Sequence, residues 1–92
     1  MTTFTHVEIS GRVQGVGYRA WCHGEATHRG LSGWVRNRRS GTVEAVFSGE
    51  AAGVEDMLSA LWTGPSGATV TAIDATPSQE RPAEGFILRD TV

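Results

Sequence analysis

A glycine-rich turn between a strand-like segment and a helical segment is the part of this sequence best equipped for chemistry. Successive backbone N–H groups before a helix N-terminus form a concave anion site, and glycine lets that backbone approach a phosphoryl group closely. The glycines alone would indicate only a tight turn, but Arg19 adds a planar guanidinium that can bind phosphate oxygens in a bidentate manner. A cation is otherwise unfavourable at a helix N-terminus, so a bound anion would account for it. The segment that contains this turn and the arginine, called the cradle below, consists of Gln14, Gly15, Val16, Gly17, Tyr18 and Arg19.

The same turn matches the G-x-G-x-x-A fingerprint of dinucleotide-binding proteins over residues 15–20. Such a site needs a parallel sheet of repeated βαβ units and an acidic residue about 20 positions further on, which binds the ribose. Here the next strand leads straight into a hairpin, and residues 36–39 are arginines and an asparagine. The pattern therefore does not predict a nucleotide site.

The segments around the cradle show strand and helix periods. Residues 4–13 alternate apolar and polar side chains, as in a strand with one buried face. Tyr18, Cys22 and Ala26 recur every four residues, as on one side of a helix. Gly30 is placed to end that helix in a left-handed conformation.

The rest of the chain completes a known arrangement. Strands around residues 34–37 and 42–47 flank a polar, glycine-containing connection and are predicted to pair as an antiparallel hairpin. The remaining predicted elements are a helix over residues 50–63 and strands over residues 68–76 and 86–88. This order predicts an α+β fold, a ferredoxin-like βαββαβ sandwich with two helices on one face of an antiparallel sheet and a short C-terminal strand.

That topology adds Asn37 to the candidate site. The first two strands of a split βαβ unit are parallel with the third between them, so the cradle and Asn37 leave the sheet at one edge, roughly 10 Å apart. An asparagine side chain has a carbonyl acceptor and amide donors, and can hold and aim a water without being a strong base. Its alternative role is a turn residue that closes the second strand.

Composition limits the other possibilities. The 92 residues suit a single domain over residues 1–92 that needs neither a disulfide nor a metal. The absence of a long apolar run and of a signal region predicts a cytoplasmic protein with no membrane partner. Cys22 is expected to be a small buried hydrophobic residue. The three histidines do not have zinc-ligand spacing.

Two blocks of the sequence resemble the signature blocks of the acylphosphatase family. The first is GRVQGVGYR at residues 11–19, and the second is GWVRN followed by GTVE within residues 33–44. Gly64-Pro65 followed by Ala68 and Val70 resembles a third block, so the similarity covers essentially the whole chain. Tyr18 stands where the family more often has phenylalanine, a change expected to leave the backbone of the cradle intact.

The resemblance implies a ferredoxin-like fold that hydrolyses acyl phosphates to carboxylate and orthophosphate without a cofactor or a metal. It assigns the catalytic roles to Arg19 and Asn37 and phosphate binding to residues 14–19. The implied partners are a small-molecule acyl phosphate and inorganic phosphate as product, with no nucleic acid, and the chain is expected to be a monomer. The resemblance also suggests the phosphoryl group itself as the base, which the residues alone leave open.

Two binding functions are the alternatives. Ferredoxin-like domains also bind RNA through aromatic residues on the open face of the sheet, but the third strand here has Glu44 on that face, where a base would have to stack. The other alternative is a domain that binds an acyl or carbamoyl phosphate as part of a larger machine.

Overall fold

Helices and strands alternate along the chain in the computed structural model, which describes residues 1–92. The elements are β1 (Thr2–Arg12), α1 (Tyr18–His28), β2 (Ser32–Asn37), β3 (Val43–Glu50), α2 (Ala51–Thr63), β4 (Thr69–Pro77) and β5 (Phe86–Leu88). Every predicted element is present. β1 and β3 are longer than predicted because their ends pair with each other, Thr2 opposite Glu50.

The strands form a five-stranded sheet in the order β4-β1-β3-β2-β5. All pairings among the first four strands are antiparallel: β1 pairs with β3 and β4, and β2 pairs with β3. β3 therefore lies between β1 and β2, as predicted. The short C-terminal strand makes the sheet mixed, because β5 runs parallel to β2, with Gly33 opposite Phe86. β4 ends beside the start of β1, with Pro77 opposite Thr5. From there the chain crosses to the other edge of the sheet, where β5 runs in the same direction as β2.

The core lies between one face of the sheet and the two helices. The predicted helix face is confirmed, because Tyr18, Cys22 and Ala26 are all buried. Burial, with a smaller contribution from the charge of Glu25, raises the pKa of the Cys22 thiol to about 12. Neither helix is long and apolar enough to cross a bilayer. The core residues of the sheet are Val7, Ile9, Val35, Val43, Ala45 and Phe47, and those of α2 are Val54, Met57 and Leu61.

The predicted end of α1 at Gly30 is also confirmed. Gly30 has a φ of 70°, and its N–H donates to the carbonyl of Thr27 at 3.0 Å. The N–H of Leu31 donates to the carbonyl of Ala26, also at 3.0 Å. These two bonds are the Schellman pattern, in which a left-handed glycine lets the last carbonyls of a helix find donors.

Tyr18 links the start of α1 to the end of α2. Its hydroxyl donates to the carbonyl of Leu61 at 2.6 Å. That carbonyl has no partner four residues on, because Pro65 has no N–H. The phenol therefore satisfies a buried acceptor and fixes the beginning of α1 against the second helix.

The open face of the sheet, opposite the helices, carries an ion-pair cluster around Glu44. This carboxylate accepts hydrogen bonds from Arg36 Nε at 2.8 Å and Arg38 Nη1 at 2.9 Å, and it lies 2.7 Å from His6 Nε2. Burial alone would raise the pKa of Glu44, but the hydrogen bonds from His6, Arg36 and Arg38 outweigh it and lower the pKa to about 2. The acid predicted on this face is thus surrounded by two guanidinium groups and an imidazole.

The low pKa of Glu44 predicts acid sensitivity. A carboxylate whose pKa falls from 4.5 to about 2 on folding stabilises the fold above pH 4.5, and this stabilisation is lost as the pH falls towards 2. The free energy of unfolding, measured in urea at steps of pH, should fall more steeply over this range in the wild type than in Glu44→Gln. Glu55→Gln, at an exposed position, is the control and should follow the wild type. Equal slopes in all three proteins would contradict this role of Glu44.

Candidate active site

The cradle owes its shape to two glycines with positive φ. Gly15 has a φ of 75°, and Gly17, the residue before α1, has a φ of 77°. A Cβ atom added at either position would meet nothing within 4 Å. The backbone conformation, and not a lack of space, is therefore what favours glycine at these positions.

This conformation leaves a run of donors free. The backbone N–H groups from Gly15 to Ala20 donate to no backbone carbonyl, and no side chain of the chain accepts from them. The first donor engaged in the helix is the N–H of Trp21, which bonds the carbonyl of Gly17 at 3.0 Å. Free N–H groups at the positive end of a helix are the standard elements of an anion site.

A cavity of about 230 Å³ brings most of the predicted site together. Val16 is the one predicted site residue outside its lining, since its side chain packs against the core. Tyr18 contributes to the lining while its hydroxyl is directed to α2. The lining residues are Val13, Gln14, Gly15, Gly17, Tyr18, Arg19, Ala20 and Asn37.

The side chain of Arg19 provides the positive charge of this cavity. Its Nη1 donates to the backbone carbonyl of Arg89 at 3.0 Å, and no carboxylate forms an ion pair with it. The nearby Arg36 and Arg38, by contrast, both pair with Glu44. The guanidinium of Arg19 is therefore held in place while its charge stays available to an anion.

Asn37 is the last residue of β2, paired with Val43 of β3. Its side-chain Oδ1 is buried and has no hydrogen-bond partner. A buried polar atom without a partner costs free energy, so such an atom in a cavity wall indicates a place for a water or a ligand. The hairpin is closed by two backbone bonds that do not involve this side chain, from the N–H of Arg38 to the carbonyl of Thr42 and from the N–H of Gly41 to the carbonyl of Arg38.

Gln14, a predicted residue of the cradle, uses its side chain to hold the neighbouring hairpin. Its Nε2 donates to the carbonyls of Arg38 at 2.7 Å and Thr42 at 2.8 Å. The amide thus ties the cradle to the hairpin that follows Asn37. Sequence reasoning missed this contact and that of Arg89, since the residues joined are far apart along the chain and share no local pattern.

Groups that usually hold metals are dispersed. No three side chains of histidine, cysteine, aspartate or glutamate come close enough to bind one ion. A larger depression of about 510 Å³ lies at the other end of β1 and β4, and its lining contains no carboxylate, histidine or cysteine. The chemistry predicted from the sequence therefore has one matching location, the cavity beside Arg19.

Comparison with known proteins shows a close similarity of this chain to acylphosphatases. A family model described as Acylphosphatase matches residues 5–88. A relative from Azorhizobium caulinodans, named acylphosphatase, is 55% identical over 93 residues, and the match covers 100% of both chains. The structure of an acylphosphatase from Coxiella burnetii matches with a TM-score of 0.91 at 34% identity, covering 96% of this chain and 93% of that one.

One structural match comes from a much larger protein. The crystal structure of full-length HypF, in its phosphate- and nucleotide-bound form, matches 99% of this chain but only 12% of its own length. The TM-score is 0.89 and the identity is 24%, so this likeness shows the fold alone.

The conformation of Gly17 predicts opposite effects for two glycine substitutions. Gly17→Ala places a Cβ in the left-handed region and should lower the free energy of unfolding by about 1–2 kcal/mol. Gly24→Ala, inside α1 with open space around it, should raise that free energy by up to about 1 kcal/mol. Denaturant unfolding of both variants tests the pair. A Gly17→Ala protein as stable as Gly24→Ala would refute the left-handed assignment.

Proposed function

We propose that this chain, which belongs to the acylphosphatase family, binds the phosphoryl group of its substrate in the cradle and aims the attacking water with Asn37. Family membership makes it a hydrolase with acylphosphatase activity. In our proposal Arg19 and the free N–H groups hold the phosphoryl oxygens. The observation that carries the proposal is their meeting in one cavity with the unpartnered Oδ1 of Asn37.

The chemistry of the substrate explains why so few groups suffice. Water attacks phosphorus, the bond from phosphorus to the acyl oxygen breaks, and a carboxylate leaves together with its electron pair. The conjugate acid of that leaving group has a pKa of about 4, so it needs no proton from the enzyme. The remaining tasks are to offset charge on the equatorial oxygens and to align the water.

Arg19 and the backbone donors suit the first task. A guanidinium makes bidentate hydrogen bonds to phosphate oxygens, and N–H groups fixed before the reaction need no reorganisation as charge shifts in the transition state. Because these groups supply positive charge themselves, the proposal includes catalysis without a divalent cation.

Asn37 suits the second task. Its Oδ1 can accept a hydrogen bond from the water, but an amide is too weak a base to remove a proton. None of the residues that line the cavity is a histidine, an aspartate or a glutamate. This supports a phosphoryl oxygen of the substrate as the acceptor of the water's proton, and the products are then a carboxylate and orthophosphate.

The direct test is hydrolysis of an aryl acyl phosphate such as benzoyl phosphate. We expect turnover that is unchanged in excess chelator and competitively inhibited by inorganic phosphate. Activity that disappears with chelator and returns with magnesium or zinc would contradict the metal-free mechanism. A folded protein that binds phosphate without any turnover would point to a binding domain instead.

Two substitutions separate the proposed roles of Arg19 and Asn37. Arg19→Ala should lose activity and phosphate binding together, and Arg19→Lys should stay severely impaired because it loses the bidentate fork. Asn37→Ala should lower kcat by about 10²-fold, the scale of a lost positioning contact, with little change in phosphate affinity.

Kinetics and calorimetric phosphate titration of each variant check this contrast. Circular dichroism must first show that the variants are folded. A folded Asn37→Ala protein that binds phosphate and turns over at the wild-type rate would remove Asn37 from the mechanism.

A further inference from the structure

Arg89, the residue after β5, connects the candidate active site to the open face of the sheet. Its backbone N–H donates to the carbonyl of Val35 at 2.9 Å, which continues the pairing of β5 with β2. Its backbone carbonyl accepts the hydrogen bond from Arg19 Nη1 at 3.0 Å. That bond is the only one the Arg19 side chain makes within the chain.

The side chain of Arg89 is fixed on the other side of the sheet. Its guanidinium lies 4.5 Å from the centre of the Trp34 ring, and its Nη2 is 3.4 Å from Glu80 Oε2. The indole Nε1 of Trp34 donates to the same oxygen at 3.1 Å. Trp34 is only 3% exposed, so the ring offers a rigid support for the cation.

Glu80 is itself fixed within the loop that crosses the open face. The Ser78 hydroxyl donates to the carbonyl of Glu80 and accepts from its N–H, both at 3.0 Å. These two bonds close a turn at Ser78–Glu80, and the Glu80 carboxylate at its end contacts Trp34 and Arg89. Arg89 is thereby held at its backbone by β2 and at its side chain by Trp34 and Glu80.

We propose that Arg89 is a positioning residue for Arg19, and that Trp34 and Glu80 act through it. This inference rests on the proposed function, in which Arg19 holds the phosphoryl group. An arginine side chain has many rotamers, and ordering it at the moment of binding would weaken the binding of substrate. A fixed carbonyl that accepts from Nη1 orders the guanidinium beforehand, and the guanidinium is then ready for phosphate.

The test compares Arg89→Ala with a matched control. Arg89→Ala keeps the backbone carbonyl and its bond to β2, but removes the second anchor, the side chain held by Trp34 and Glu80. We expect kcat/KM to fall about 10-fold, less than the roughly 10²-fold that a displacement of 1 Å can cost. Phosphate should inhibit more weakly, and the ¹⁵N–¹H resonance of Arg19 Nε, assigned by its absence in Arg19→Lys, should shift and broaden.

Two further variants separate positioning from a general loss of stability. Arg89→Lys keeps a cation over Trp34 and near Glu80, so it should retain most of the activity. Arg81→Ala removes another guanidinium that lies over an aromatic ring, 5.0 Å from the centre of Phe4, and it should match the wild type in all three readouts. If Arg89→Ala does not fold, Trp34→Phe takes its place, because it removes the hydrogen-bond donor to Glu80. Trp34→Phe should then lower kcat/KM, weaken inhibition by phosphate and shift the Arg19 resonance.

The outcomes distinguish this inference from the proposed function. An Arg89→Ala protein with the kcat/KM and Arg19 resonance of the wild type, or an Arg81→Ala protein with an equal loss, would overturn the role of Arg89. Absence of hydrolysis by the wild type would instead refute the proposed function. In that case the Arg19 resonance and the phosphate affinity still decide whether Arg89 positions Arg19.

Discussion

Backbone N–H groups can bind an anion only if they are held in place without being paired to carbonyls of their own chain. The turn from β1 to α1 meets this requirement through the positive φ angles of Gly15 and Gly17 and through the first turn of α1, whose N–H groups up to Ala20 have no carbonyl partner. Such a turn has few bonds of its own, so its neighbours must hold it. Gln14 ties it to the hairpin after β2, and Tyr18 ties it to the end of α2.

The arginines of the chain differ in whether a carboxylate pairs with them, and this difference also serves to keep an anion site open. On the open face, Arg36 and Arg38 are matched by Glu44, which keeps its charge because three donors surround it. Arg19 meets only a neutral group, the backbone carbonyl of Arg89. A carboxylate beside Arg19 would compete with a phosphoryl group for the guanidinium, whereas a carbonyl orients it and leaves its charge unpaired. The open face of the sheet and the candidate active site thus use arginine for different purposes.

The fold explains how so small a protein can fix two side chains from distant segments. β3 lies between β1 and β2, so the cradle and Asn37 emerge at one edge of a rigid sheet. β5 adds a further strand on the outer side of β2, and it places Arg89 next to Arg19. In the mechanism that we propose, preorganisation of this kind replaces the general acid, because the carboxylate leaving group needs no proton.

The sequence by itself determined the elements and the residues of the candidate site. Alternation in β1 and β3, the four-residue period of Tyr18, Cys22 and Ala26, and the stop at Gly30 were all predictable, since each depends on residues within one or two turns of chain. Only the tertiary structure decided the parallel pairing of β5, the bonds from Gln14 to the hairpin, and the contact between Arg19 and Arg89. These pairs are separated by 24 to 70 positions. Their meeting depends on strand order and register, which arise from packing the whole core and leave no periodic trace in the sequence.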